Sequence, residues 1–257
     1  MKMSMHNGLG AFSVKIRRLF SQHEYGISRI SEGVLELNQE LKLLENKLHE
    51  IDNEKMEIEK LLSDFQYRHS TELGSLLLEI LRLRKILYQS DKAKFEEAQM
   101  DERNYREQIK SDKKKQKLQL TYGEKKELKR KFRRATLLCH PDKVNENNKA
   151  AAERMFINLK VAYDSNDLKK VSEILNDLEK GNFFKSNSDT VSERELLIAE
   201  IEKIGKRINS LEKEILSVKN SHAYKTVIEI EDWDEYFSNM KSRLEAELEE
   251  MKKQMEV

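Results

Sequence analysis

Helix-breaking residues are scarce in this chain of 257 residues, which holds one proline, Pro141, and eight glycines. Proline removes a backbone donor and glycine destabilises a helix interior, so their scarcity favours long uninterrupted helices. Residues that favour strands are rarely grouped either, and the best stretch, 226–230, is short. The composition therefore predicts an all-α fold in which Pro141 marks a place where the chain must leave a helix.

Cysteine is almost as rare, since Cys139 is the only one. A single cysteine excludes an internal disulfide and a Cys-x-x-Cys metal site, and it fits a reducing compartment, so we expect a cytoplasmic protein. No apolar run approaches the about 20 residues that a membrane-spanning helix needs. Residues 1–23 contain no acid, so a targeting segment or a surface anchor is an alternative to a frayed terminus there.

Neither sign of charge dominates, because 48 basic residues face 47 acidic ones and the net charge is +1. Charged residues nevertheless make up 37% of the chain, and such dense, balanced charge is typical of long solvated helices. A disordered chain would also be highly charged, but it would lack the regular apolar spacing described next.

Apolar residues repeat at alternating steps of four and three over 37–65, which is the heptad seam of a coiled coil. The positions of this seam are Leu37, Leu41, Leu44, Leu48, Ile51, Ile58, Leu62 and Phe65. Lys55 occupies the one position that lacks an apolar residue. A second apolar run over 76–87 follows Gly74, which marks a kink or a turn.

These patterns predict an N-terminal segment, 1–30, in which disorder is one alternative, and a helical coiled-coil arm over 31–117. The seam spans about four heptads, which is long enough for stable pairing, so we expect a homodimer through this arm. The competing arrangement folds the seam back on the 76–87 run within one chain.

A third seam has strict four-three spacing, at Leu197, Ile201, Ile204, Ile208, Leu211, Ile215 and Val218. After an interruption, a last helix opens with acidic residues at 231–235, which suit a helix N-terminus. Its apolar face is formed by Phe237, Leu244, Leu248, Met251 and Met255. A short break between two amphipathic helices is typical of an antiparallel hairpin, so we expect a self-contained helical hairpin over 190–257.

A basic amphipathic helix is predicted to begin at Thr121, because residues 121–124 fit a capping box. Its apolar side holds Leu128, Phe132, Ala135 and Cys139, and its basic side holds Lys126, Lys129, Arg130, Arg133 and Arg134. Pro141 disfavours the helical conformation at His140, so the chain must turn at His140-Pro141-Asp142-Lys143. Two further helices follow, with apolar stripes at Ala152, Phe156, Leu159 and Tyr163 and at Leu168, Val171, Leu175 and Leu178.

Three motifs in this region resemble the J domains of DnaJ-like co-chaperones: the basic run 128–134, the tetrapeptide 140–143, and the Phe, Leu, Ala and Tyr at 156, 159, 162 and 163. The resemblance covers a domain at 118–181. It implies an antiparallel helical hairpin that binds a DnaK-type heat-shock ATPase and speeds ATP hydrolysis. The triggering loop would be His140, Pro141 and Asp142, and the docking face would be Lys126, Lys129, Arg130, Arg133, Arg134 and the exposed Leu137.

The chain departs from that family in several respects. The usual first J helix is not evident before Thr121, Val144 stands where members often have Asn, and no Gly/Phe-rich linker or zinc module follows. We therefore expect a divergent member with coiled-coil arms, no enzymatic activity of its own and no cofactor. The alternatives are a coiled-coil scaffold without chaperone activity and a nucleic-acid-associated protein that uses the basic run 110–134, which lacks a base-reading motif.

Overall fold

A computed structural model describes residues 9–114, 117–182, 184–191 and 193–255. Its helices are α1 (Leu9–Glu72), α2 (Gly74–Leu87), α3 (Lys92–Lys114), α4 (Tyr122–Cys139), α5 (Glu146–Asp164), α6 (Leu168–Asp177), α7 (Asn187–Thr190), α8 (Arg194–Asn220), α9 (His222–Glu229) and α10 (Trp233–Met255). Within these ranges there is no strand, only an isolated bridge between Val144 and Ser186. The predicted all-α fold is confirmed.

α1 and α2 form a nearly continuous helix that is interrupted at Leu73. Leu73 keeps a helical backbone (φ −110°, ψ −16°), and its amide donates to the carbonyl of His69 at 3.0 Å. Gly74 therefore marks a kink and not a turn. A Cβ atom at Gly74 would lie 3.1 Å from Cδ1 of Ile109, so glycine there permits the close approach of α3.

The N-terminal seam packs on α8 of the same chain. Two ion pairs, Lys47–Glu212 at 2.9 Å and Glu54–Lys219 at 2.5 Å, are one heptad apart on both helices, so α1 and α8 run parallel. The buried residues of this interface are Leu41, Leu48, Ile51, Ile58, Leu197, Ile204, Ile208, Leu211 and Ile215. The seam expected to pair two chains is thus covered within one chain, and by α8 rather than by the 76–87 run.

α10 packs on α2 and on the end of α1. The Phe65 ring lies 5.4 Å from the Trp233 ring and 5.3 Å from the Phe237 ring, centroid to centroid. The buried residues of this cluster are Leu73, Ile80, Phe237, Leu244 and Leu248. The C-terminal helices α8 and α10 therefore do not form the self-contained hairpin expected from the sequence. Instead, α8 packs on the apolar face of α1, and α10 packs on the apolar face of α2 and the end of α1.

α3 runs back along α2 and the end of α1, and polar contacts fix its last turns. The Ser70 hydroxyl donates to the Asp112 carboxylate at 2.7 Å. Just after α3, the buried Lys117 ammonium lies 2.7 Å from Asp64 and 3.2 Å from Asp164. This ion triad ties the chain to α1 and α5 before α4 begins.

The N-terminal helix α1 begins at Leu9, so it includes most of the segment 1–30. Residues 1–8, where part of the alternative targeting segment falls, lie outside the described residues. Among the helices of the described ranges, none combines the length and the apolarity needed to cross a bilayer.

Candidate partner-docking surface

α4 begins where the sequence predicts. The Thr121 hydroxyl accepts a hydrogen bond from the Glu124 amide at 3.3 Å, and the Glu124 carboxylate accepts one from the Thr121 amide at 2.8 Å. This reciprocal capping box satisfies two amides that would otherwise lack partners at the helix start.

α4, α5 and α6 share a core that contains the predicted apolar stripes. The Phe132 and Tyr163 rings stack at 3.9 Å with an interplanar angle of 14°. The buried residues contributed by these helices and the turn after them are Leu128, Phe132, Ala135, Cys139, Leu159, Ala162, Tyr163, Val171, Ile174, Leu175 and Leu178. We call this unit, α4 to α6, the hairpin module.

The segment before α4 contains no helix over 117–121. The Leu118 amide donates to the Ser165 carbonyl at 3.0 Å, and the Asn166 side chain donates to the Leu118 carbonyl at 3.0 Å. Leu120 packs against the core of the hairpin module, whereas α3 packs on α1 and α2. The described residues next to α4 therefore supply no counterpart of a first J helix.

Cys139 is a structural residue of the hairpin module. Its side chain is fully buried, its thiol donates to the Ala135 carbonyl, and burial raises the pKa of the thiol to about 12. Such a thiol is unreactive at neutral pH. In the described ranges, no group of three or more His, Cys, Asp or Glu side chains is placed to hold a metal ion.

The turn between α4 and α5 is built by His140 and Pro141. His140 leaves the helix with extended backbone angles (φ −66°, ψ 120°), as the residue before a proline must. Its Nδ1 accepts a hydrogen bond from the Asp142 amide at 3.2 Å, which caps a 3₁₀ turn at Pro141–Lys143. The predicted helix break is thus located at the tetrapeptide that carries the resemblance.

The turn is largely closed to solvent, although a polar turn that docks on a partner would be expected to be exposed. His140 is only 3% exposed, its Nε2 lies 3.1 Å from the Asp52 carboxylate, and its ring is edge-on to Phe156 at 5.3 Å. The Asp142 carboxylate, half-buried, lies 3.4 Å from the Arg207 guanidinium. α1 and α8 therefore enclose the His-Pro-Asp turn from two sides.

Enclosure shifts the pKa values of the charged groups around the turn. Burial alone would raise the pKa of the Asp52 carboxyl, but the hydrogen bond and charge of His140, together with the charges of Arg207 and Lys160, hold that pKa below its usual range. Burial lowers the pKa of His49 to about 4, assisted by the nearby Lys143. Burial also lowers the pKa of Lys143 to about 8, although the Glu45 carboxylate opposes the shift.

The predicted basic face of α4 is divided into a part that is paired with α1, although still exposed, and an open part that is not paired with α1. Glu57 of α1 accepts from the Arg133 guanidinium at 2.7 Å and pairs with the Lys129 ammonium at 2.9 Å. Lys126 and Arg130, on the same side of α4, are exposed and form no ion pair with another described residue. The structure therefore separates the five predicted docking cations, because two of them already have an acidic partner on α1.

Leu137 belongs to the open part and is 46% exposed, as predicted. A shallow groove beside it is lined by Arg134, Leu138, Leu178 and Glu179, and Arg134 forms an ion pair with Glu179 across the groove. Leu137 is thus the exposed apolar side chain of the predicted docking face, and it lies beside the groove.

α1 makes contacts with the hairpin module that the sequence did not reveal. Asn53 Oδ1 accepts from the buried Thr136 hydroxyl at 3.1 Å, Met56 joins the core of the hairpin module, and the Lys60 ammonium lies 5.0 Å from the Tyr163 ring centroid. With His49, these α1 residues form a second stripe at steps of four, three and four. The stripe is visible in the sequence, but its mixed polar character gives no sign of what it contacts.

Several cations of the basic run 110–134 form ion pairs with acidic neighbours. Lys117 pairs with Asp64 at 2.7 Å, Lys131 pairs with Glu127 at 2.8 Å, and Glu57 holds two more cations. Fewer cations are therefore free to neutralise phosphates than the sequence suggests, which weakens the nucleic-acid alternative.

No protein-family model matches the chain, and neither a curated protein nor a solved structure matches it. The resemblance to J domains therefore rests on the motif residues of the sequence alone.

Proposed function

We propose that the chain is a co-chaperone of the J-domain type, which docks on a DnaK-type ATPase through the hairpin module and stimulates its ATP hydrolysis. One observation carries this proposal. The His-Pro-Asp sequence lies at the turn of a helical hairpin whose first helix is basic outside and apolar inside. A lone tripeptide would be weak support, whereas the tripeptide in this setting matches what the resemblance implies.

The exposed part of α4 suits such a partner. Lys126 and Arg130 can attract an acidic surface, and charges at the edge of an interface mainly raise the association rate and its dependence on salt. Leu137 lies between them and the turn, where it can bury apolar area against the partner.

The remaining helices would position or target the hairpin module in the cytoplasm. α1, α2, α8 and α10 form a long framework whose apolar faces are covered within the chain. A homodimer through the 37–65 seam is not part of the proposal, because α8 occupies that seam and would have to be displaced.

A scaffold without chaperone activity is the second candidate, and one observation favours it. His140 is 3% exposed and bonded to Asp52, so in this arrangement the triggering turn is closed to a partner. A chain whose turn served only to hold α1 and α8 in place would look the same.

Steady-state ATP hydrolysis by a purified DnaK-type chaperone separates the two candidates. We expect the full chain to raise the rate and the His140→Gln chain not to, because Gln can replace the hydrogen bond to Asp52 but not the ring. Thermal unfolding of both proteins controls for stability. If the full chain leaves the rate unchanged at all concentrations of the DnaK-type chaperone, the scaffold candidate is preferred. An unchanged rate together with tight binding to duplex DNA or RNA would favour the nucleic-acid-associated protein instead.

A further inference from the structure

A single stretch of α1, residues 49–60, lies against the side of the hairpin module that carries the turn. Asp52 reaches His140, Asn53 reaches Thr136, and Glu57 reaches α4. At the other end of the stretch, Glu59 lies 3.0 Å from the Lys160 ammonium of α5. This stretch therefore contacts both helices of the hairpin as well as the turn between them.

The acidic groups of this stretch stand where an acidic partner would place its own. Glu57 bridges Lys129 and Arg133, two of the five cations predicted to dock, and Asp52 holds the first residue of the triggering tripeptide. Arg207 of α8 takes the third residue of the tripeptide, Asp142, so that turn and helix face are engaged together.

We propose that α1 is a built-in inhibitor of the hairpin module: residues 52–57 occupy the docking face as an internal acidic ligand, and a partner must displace them. This inference rests on the proposed function, since it concerns the regulation of the same site. In the closed arrangement of the chain, Lys126, Arg130, Arg134 and Leu137 are exposed and are not engaged by an acidic residue of the described part of α1, so they can make a first encounter.

The contact between α1 and the hairpin module can open while each of the two parts stays folded. The hairpin module has its own apolar core, and α1 is held independently by the apolar seam with α8. Between α1 and the module, the contacts are mostly hydrogen bonds and ion pairs, with Met56 as the buried apolar exception. A partner that offers equivalent polar groups can replace these contacts, so the exchange leaves no buried group of the hairpin module without a hydrogen bond.

A reversible covalent lock tests the inhibition directly. The side chains of Asn53 and Thr136 are short and are in contact, with Oδ1 and Oγ1 3.1 Å apart, so Asn53→Cys combined with Thr136→Cys is the pair chosen to join α1 to α4 on oxidation, and mass spectrometry checks that the bond forms. The native Cys139 is buried and its pKa is about 12, so it should not compete. We expect the oxidised chain to stimulate the DnaK-type ATPase about tenfold less than the same chain after reduction.

A second readout needs no partner. Lys143 is 5% exposed in the closed chain, whereas Lys126 is exposed in any arrangement, so acylation of the two lysines followed by mass spectrometry reports opening against an internal reference. Asp52→Asn combined with Glu57→Gln should raise the acylation rate of Lys143 about tenfold, since the three lost polar contacts shift the closed equilibrium by roughly that factor. Glu50→Gln, an exposed position on the same helix, is the matched control.

The outcomes distinguish the inference from the function on which it rests. Weak stimulation by the oxidised lock, full stimulation after reduction and a more reactive Lys143 in the Asp52→Asn, Glu57→Gln chain support the inhibition. Equal stimulation by oxidised and reduced chains overturns it and leaves the co-chaperone function standing. No stimulation by any chain overturns the function itself. An unchanged Lys143 in the double variant overturns the inhibition even without a partner, because the acidic contacts then do not hold the face closed.

Discussion

His49 lies at the centre of the polar contacts between α1 and α4. The Asn53 side-chain amide donates to His49 Nε2 at 3.0 Å, while its oxygen accepts from Thr136. Because Nε2 acts as an acceptor, the ring must be neutral in this arrangement. Burial is the main reason why the pKa of His49 is lowered to about 4, and the nearby Lys143 ammonium lowers it further. A proton on Nε2 would also place two donors against each other.

We expect the chain to lose stability as the pH falls from about 6.5 towards 4. In this window the unfolded chain binds a proton at His49, whose ordinary pKa is 6.5, and the folded chain, with a pKa of about 4, does not. The unfolded state therefore binds more protons, and the free energy of unfolding decreases as the pH decreases, by about 1–2 kcal/mol between pH 7 and pH 5. Burial also lowers the pKa of His69, which acts in the same direction.

Urea unfolding at the two pH values measures this effect. His49→Gln should reduce the difference between the two transition midpoints, whereas His222→Gln, at an exposed position, should leave the difference as it is in the unaltered chain. Equal midpoints at both pH values for the unaltered chain would contradict a neutral, buried His49.

α1 is the element that organises the molecule, because it carries two stripes with different partners. The apolar stripe over 37–65 packs on α8, and the stripe over 49–60 contacts the hairpin module. One helix thus connects the framework to the candidate docking surface. A change in how α8 packs on α1 can therefore alter how α1 packs on the hairpin module, and the reverse also holds.

The α1–α8 seam should dominate the stability of the framework. Leu48 is fully buried in the seam, so Leu48→Ala should lower the free energy of unfolding by about 2–4 kcal/mol through lost apolar contact and the cavity left behind. Leu43, on the same helix, is 70% exposed, and Leu43→Ala should change stability by no more than about 0.5 kcal/mol. Urea unfolding followed by circular dichroism measures both, and similar losses for the two variants would show that the seam is not buried as described.

Local features of these elements could be predicted from the sequence, and long-range ones could not. The capping box at Thr121 and the break at Pro141 depend on neighbours within a few residues, so the pattern alone located them. The heptad repeat of 37–65 showed that this helix pairs, but a repeat does not name its partner, and 197–218 has the same spacing. The closure of the turn depends on His140 meeting Asp52, which is 88 positions away, and no local signal encodes that pairing.

At the scale of the whole molecule, three apolar clusters hold the helices together within one chain. Two of them join the framework helices and the third is the core of the hairpin module. The side chains expected to face a second copy, Leu41 and Leu48 among them, are 0% exposed beneath α8. The physical reason for expecting a homodimer through this seam is therefore removed.

We expect the intact chain to be a monomer at micromolar concentration, because α8 already fills the seam as an intramolecular partner. Light scattering coupled to size-exclusion chromatography measures the mass, which should be near 30.4 kDa. A mass of twice that value that persists on dilution would contradict this prediction, because chains would then exchange α8 or pair through another surface. Leu43→Ala would test whether that surface is the exposed part of α1 around Leu43.

Direct binding to an ATP-bound DnaK-type chaperone tests the central claim most plainly. The unaltered chain and its Asp142→Asn variant would be titrated at low salt, where attraction between the basic helix and an acidic partner is screened least. We predict saturable binding by the unaltered chain, weakened by added salt, and no saturable binding by the variant, although the loss of the Arg207 contact opens its turn. Binding that is absent for both chains, or equally tight for both, would contradict a docking surface built on the His-Pro-Asp turn.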